Sequence, residues 1–372
     1  MKRKRFLALL VSASMAVAML SGCGSSQKAA EVEAVPAEEE SETAEPEESE
    51  PVEKAEESET KELVAPDGFP KKTITLVVPV AAGGTFDMAA RKIAECAKSQ
   101  YDVDIVVENL PGGSGVVGMS QVLANGADGY TIALYSSGFY GNVAMGRFPE
   151  FTPDTWDTLT RCQTEGTYLC VSADSGIKNF EDLKEAILAG GFSVGGSGSL
   201  NNLHIGIRML SEQFFGEGNY DDIIWTSYDG GSRIAADLLG NSVISAGILN
   251  PGELIGPYES GDIIPILNLS DERSEMFPDA ITLEEAGYEN VPLFSGVYNS
   301  SLIYAPSGID EEIRQYLQDL LVNILNSDEF QEYITSIYAT SVPLTGEELK
   351  ETMDEMSVFF FEAKDTYLKG LL

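Results

Sequence analysis

Gly83 and Gly84 lie in the stretch TITLVVPVAAGGTFDMAARKIAE (residues 73–95), between a β-rich apolar run and a helical pattern. A strand that feeds a bare glycine loop and then a helix start brings free backbone N–H groups and the positive end of a helix dipole to one point. That arrangement binds an anion, either a phosphate or a carboxylate. The first lysine after the loop is Lys92, too late for a phosphate-binding lysine. A second glycine cluster, Gly113-x-Gly115-x-x-Gly118, has the form of a dinucleotide fingerprint. The following strand ends in Ser136 and Ser137 where an acid should meet the ribose, so these glycines read as a turn that packs a helix on a strand. Catalytic groups are scarce. His204 is the single histidine, set in the apolar helical stretch NNLHIGIRML, and neither a Gly-x-Ser-x-Gly elbow nor a Cys/His cluster of metal spacing occurs. The expectation is a binding protein without cofactor or metal.

The elements around these residues alternate. TITLVVPV, a helix over 87–99, DIVVEN, a helix over 115–125 and YTIALYS form one α/β series. A hairpin-like pair, TLTRCQTEGTYLCVSA, leads into a helix that Asn179 caps and Gly190 stops. A second series follows: FSVGGSGS, a helix over 202–215, DIIWTSYDG, a helix over 232–239, VISAGIL and IIPILNLS. GVYNSSLIYAPSG is extended, and helices over 311–325, 328–337 and from 345 onward finish the chain. Strands with covering helices make parallel α/β sheets, and two such lobes hold a ligand between the C-terminal ends of their strands.

The N-terminus reads as an export signal: Lys2 to Arg5 are basic, Phe6 to Leu20 are apolar, and LSGC follows. LSGC resembles a bacterial lipobox, which predicts a signal peptide over 1–22 and a lipid on Cys23. From Ala29 to Val64 there are 15 Glu and two Lys, so the segment over 23–65 is expected to be a disordered acidic tether some tens of ångströms long. Of the net charge of −37, residues 65–372 carry −29. Nucleic acid requires a basic footprint and is excluded as a partner. Cys96, Cys162 and Cys170 are expected to be buried thiols.

The blocks LVVPVAAGGTFDMAARKIAE, VVENLPGGSGVVG, ADGYTIAL, TSYDGGSRIAADLLGNSV and FPDAITLEEAGYENVPLFSGVYNSSLIYAPSGI stand in the order and spacing of the tripartite tricarboxylate transporter receptors, the Bug family, which the chain resembles from about Phe69 to Met353. The resemblance implies a two-lobed type II periplasmic-binding-protein fold with a ligand cleft between lobes. Lobe 1 is expected over 66–170 and 296–372, and lobe 2 over 171–295. It implies a monomeric receptor, on the outer face of the bacterial cytoplasmic membrane, that passes a small organic acid to integral membrane permease subunits. A chemosensory co-receptor or an extracytoplasmic enzyme on the same fold is the alternative. Carried over by position, backbone groups at Ala82, Gly83, Gly84 and Thr85 hold one ligand carboxylate, partly through ordered waters, and Asp87 reads chiefly as an N-cap beside them. Ser136, Ser137 and Gly138 supply hydroxyls and backbone next to this loop. Gly196, Ser197, Gly198 and Ser199 face them across the cleft, and Asn202-Leu203 stands where many members carry His-Leu. Tyr228 closes over the ligand near Gly231, with Arg233 the nearby cation. Three or four charge-assisted contacts at roughly 1.5–3 kcal/mol each are enough for about micromolar affinity.

Overall fold

A computed structural model describes residues 63–371 apart from 67, 241, 242 and 295. The export signal, Cys23 and the acidic tether up to residue 62 lie outside the described residues. Apolar β-branched runs form the first series: β1 (Ile74–Val78), helix α1 (Thr85–Tyr101), β2 (Ile105–Asn109), α2 (Val116–Ala124), β3 (Thr131–Ser136) and α3 (Ser137–Ala144). Then come β4 (Trp156–Glu165), β5 (Tyr168–Ser172), α4 (Phe180–Leu188), β6 (Ser193–Ser197) and α5 (Asn202–Phe215). They are followed by β7 (Ile224–Tyr228), α6 (Gly231–Leu239), β8 (Ala246–Leu249), α7 (Pro251–Glu259), β9 (Ile263–Asn268) and β10 (Ile281–Thr282). The chain closes with β11 (Ser300–Pro306), α8 (Glu311–Leu325), α9 (Asp328–Ser336), β12 (Ala339–Thr340) and α10 (Gly346–Tyr367).

Two six-stranded sheets result, ordered β12-β4-β11-β3-β1-β2 and β10-β9-β5-β8-β6-β7. In each, a parallel trio is met by one antiparallel strand: β11 pairs β3 in the first sheet, and β5 pairs β8 in the second. Those two antiparallel strands follow the two crossings of the chain between sheets. The inner parallel strands β1, β3, β6 and β8 are nearly continuous buried runs, whereas the edge strands β2 and β7 are not. β3 has five buried residues in a row and all four residues of β8 are buried, as expected where helices cover both faces.

The hairpin expected over TLTRCQTEGTYLCVSA does not form. β4 pairs β11 and β12, whereas β5 pairs β8 and β9, because the chain changes sheets at Gly166 and Thr167. Tyr168 therefore already belongs to the second sheet, within the segment the sequence assigns to the first lobe. Cys162 and Cys170 are buried in different sheets, and Cys96 is buried on α1. Among the described residues none of the three is in a disulfide. Two helices and the two-residue strands β10 and β12 escape the sequence reading. Helix α3 begins inside the expected Ser136–Gly138 loop, and α7 follows β8 directly.

Local chemistry accounts for the helix starts. Asn179 accepts from the Asp182 amide, Asn201 from His204 and Ser327 from Phe330. α7 opens with Asn250, Pro251 and Glu253, a capping box with proline at the first helical position. α1 and α6 differ: their N-cap residues are Gly84 and Gly230, which have no side chain to cap with.

Candidate functional site

Five strand-to-helix junctions meet between the two sheets. They enclose a cavity of about 50 Å³. From the first sheet come Val80, Ala81, Gly84, Thr85 and Phe86 at the β1–α1 junction, and Tyr135 and Ser136 at β3–α3. The second contributes Ser197, Asn201 and Leu203 at β6–α5, Gly230 and Gly231 at β7–α6, and Asn250 and Glu253 at β8–α7, with Asn299 from the crossing segment. The cavity lies at the carboxyl ends of parallel strands, where open α/β sheets place their ligands.

Gly84, Thr85, Ser136, Ser197 and Gly231 are the residues expected from sequence that line this space. The others surround it and hold its walls. The Ala82 carbonyl accepts from Ser232 Oγ across the cleft at 3.3 Å, and the Gly83 amide donates to Asp87 Oδ2 at 2.9 Å. Asp87 is buried and turns away from the cavity. Its carboxylate also takes Arg91 Nε at 3.0 Å and Nη2 at 2.9 Å. Burial opposes ionisation of Asp87, but Arg91, the Gly83 amide and Asn109 outweigh it and hold the carboxyl below its ordinary range. Asp87 thus fixes the glycine loop from within the first turn of α1, while Gly84 occupies the N-cap position itself.

Ser137 Oγ donates to the Tyr298 carbonyl at 3.0 Å and accepts from the Ser300 amide at 3.2 Å. The Gly138 amide donates to Ser136 Oγ, capping α3. Asn202 Nδ2 donates to the Leu293 and Tyr298 carbonyls at 3.1 and 2.9 Å, so Ser137 and Asn202 both fasten the crossing segment. Gly196 packs beneath Trp225, where a Cβ would stand 1.9 Å from the indole. Trp225 Nε1 in turn donates to the Gly198 carbonyl at 3.0 Å. Tyr228 packs its ring over Gly195, and its hydroxyl donates to Asp237 at 3.0 Å. Arg233 lines a separate surface depression with Tyr228 and Asp229. His204 stacks on Trp225 with ring centroids 4.9 Å apart, and its Nδ1 accepts from the Leu200 amide at 3.0 Å. Burial, with Arg208 and Arg147 nearby, pushes its pKa down to about 4, so at neutral pH it is an uncharged packing residue.

Four residues important to this site were not singled out from sequence. Ser114 Oγ accepts from the Ser199 amide at 3.2 Å, and Arg147 donates to both the Ser199 carbonyl and, at 3.0 Å, Ser199 Oγ. Together with Ala81 N donating to the Asp229 carbonyl at 3.1 Å, these bonds draw the two lobes together. Glu253 and Asn250 form the remaining cross-cleft element. Glu253 Oε1 accepts from the Thr85 amide at 3.0 Å, and Oε2 accepts from Thr85 Oγ1 at 3.1 Å and the Asn250 amide at 3.2 Å. The pattern Asn-Pro-x-Glu after an apolar strand was the available signal, since it marks a capped helix start.

Comparison with known proteins agrees with this geometry. The family model described as tripartite tricarboxylate transporter family receptor matches residues 89–351. The chain is similar to protein BugT of Bordetella pertussis, with 28% identity over 293 residues, covering 77% of this chain and 86% of BugT. Among solved structures it is similar to the periplasmic binding protein BugD, with TM-score 0.70, 24% identity, and coverage of 80% of this chain and 98% of BugD. The same figures hold for Rpa4515 of R. palustris, solved with adipate. These structures have the two-lobed periplasmic-binding-protein fold, and this chain shares it. With more than half its length matched and a cleft at the expected strand ends, the chain belongs to the tripartite tricarboxylate transporter receptor family, whose members are solute-binding receptors.

Proposed function

We propose that this receptor captures a small organic acid in the interlobe cleft and delivers it to the integral membrane subunits of a secondary transporter. It does so as a monomer tethered outside the cytoplasmic membrane through a lipid on Cys23 and the acidic segment over 23–65. The observation that carries this reading is the convergence of the α1 and α6 starts, each with glycine at its N-cap position, on one enclosed space between lobes. The first-turn amides of a helix have no partner within the helix, and the dipole there favours negative charge. Of the residues expected to bind, Gly84, Thr85, Ser136, Ser197 and Gly231 are the ones we assign to solute contact. Gly83, Asp87, Ser137 and Asn202 support the walls. Among the described residues no helix is long and apolar enough to cross a membrane, which suits a receptor held at the surface by its anchor.

A thermal-shift panel of carboxylates and amino acids tests the proposal. A solute at 100 times its dissociation constant adds about 2.7 kcal/mol to stability, a clear rise in melting temperature. A cooperatively folding sample that responds to none of the panel would contradict it.

A further inference from the structure

The cavity wall contains one charged side chain, Glu253, and no lysine, arginine or histidine. Its carboxylate occupies the place where the helix starts converge. It accepts the Thr85 amide and hydroxyl from the α1 start and the Asn250 amide from its own helix. Two uncapped glycine positions pack against it. A Cβ on Gly84 would stand 3.0 Å from Oε1, and one on Gly231 would stand 2.6 Å from both Oε1 and Cδ. Glycine at both sites thus leaves room for this carboxylate. The positive potential at the α1 start is therefore met by a carboxylate of the protein before any solute arrives.

This changes what the cleft can accept. A dicarboxylate would bring two further negative charges beside Glu253, with only uncharged helix starts, hydroxyls and asparagine amides in the lining to compensate and a surface carrying a large negative charge around it. A solute with one carboxylate and one ammonium adds no net charge. Its ammonium gains an acceptor in Glu253 Oε1, which takes the Thr85 amide and, as a carboxylate oxygen, can take a second donor. Its carboxylate is left the uncapped first turn of α6 and the hydroxyls of Ser136 and Ser197. Burial pushes the Glu253 carboxyl up from its ordinary range, against the pull of its Thr85 and Asn250 donors. A cation beside it would relieve that cost.

Resting on the receptor reading above, we propose that Glu253 sets the solute class: the cleft takes an organic acid that also carries an ammonium group, and discriminates against plain mono- and dicarboxylates.

Titration calorimetry of the purified receptor with matched pairs tests this, because the members of each pair differ by the amine alone. Suitable pairs are succinate with aspartate, glutarate with glutamate, butyrate with γ-aminobutyrate, and 3-phenylpropionate with phenylalanine. The expected result is that in at least one pair the amine-bearing member binds tenfold or more tightly than its partner. Glu253→Gln should reduce that ratio to about twofold or less. Equal or tighter binding of the amine-free members overturns the proposal and leaves the carboxylate-receptor reading intact. A preference for the amine that survives unchanged in Glu253→Gln overturns the role of Glu253. Silence of the whole panel overturns both readings. Should Glu253→Gln fail to fold, the ratios measured on the native receptor still decide the solute class, and Glu253→Asp, which keeps the charge and should keep the preference, decides the role of the carboxylate.

Discussion

At the residue scale, the glycines and the single histidine show how far chemistry was legible. The anion-binding loop was readable because a strand, a pair of glycines and a helix start are adjacent in sequence, and Gly84 and Thr85 do line the cleft. Gly196 shows what adjacency misses: its lack of a side chain serves Trp225, 29 residues away along the chain and invisible in the local pattern. Gly196→Ala is accordingly expected to lower stability by about 1–3 kcal/mol through overpacking, read as a shift in the urea midpoint. His204 offers a second test. Its folded pKa of about 4 lies below the ordinary 6.5, so the unfolded chain binds the proton more tightly and stability falls as pH drops from above 6.5 toward 4. Between pH 7.5 and 5.5 this residue should account for a loss of about 1.3 kcal/mol. Subtracting the profile of His204→Gln from that of the native chain should reveal the loss, since no other histidine titrates there. Parallel profiles would mean that His204 is solvated and not packed on Trp225.

At the scale of elements, most helices and strands were legible from periodicity and caps, because Asn179, Gly190 and the apolar runs act within a few residues of themselves. The failures share a cause. The β4–β5 turn looks like a hairpin locally, yet each strand finds its partners far along the chain, and no short-range signal reports a change of sheet. Helix α3 was hidden because Ser136, Ser137 and Gly138 look like loop residues, although Ser136 caps the helix they begin. Asn202 belongs to the same class. It was read as a ligand contact, whereas its amide bonds two carbonyls of the crossing segment. Asn202→Ala strands both buried acceptors and is expected to cost about 1–3 kcal/mol. Equilibrium unfolding should show this loss with no change in solute preference.

For the whole molecule, the two sheets have matching orders around a parallel trio, so each lobe presents its strand ends and helix starts to the other. This symmetry of construction explains why the cleft is built from five junctions, with no single motif. It also explains why closure depends on a few cross-cleft bonds. Arg147 makes two of them to Ser199. Arg147→Ala should weaken solute binding about tenfold, the equivalent of roughly one such bond, and increase the radius of gyration of the solute-free receptor in small-angle scattering. An unchanged affinity and radius would remove Arg147 from the closing mechanism. The central claim is that solute is held at the glycine-preceded helix starts between the lobes. Hydrogen–deuterium exchange of the purified receptor, with and without pooled millimolar carboxylates and amino acids, tests it most directly. The account predicts slowed exchange at the amides of 86 and 87 in α1 and of 231 and 232 in α6, since those of 85, 88, 233 and 234 already have acceptors. Protection confined to other segments, with these amides unchanged, would contradict it.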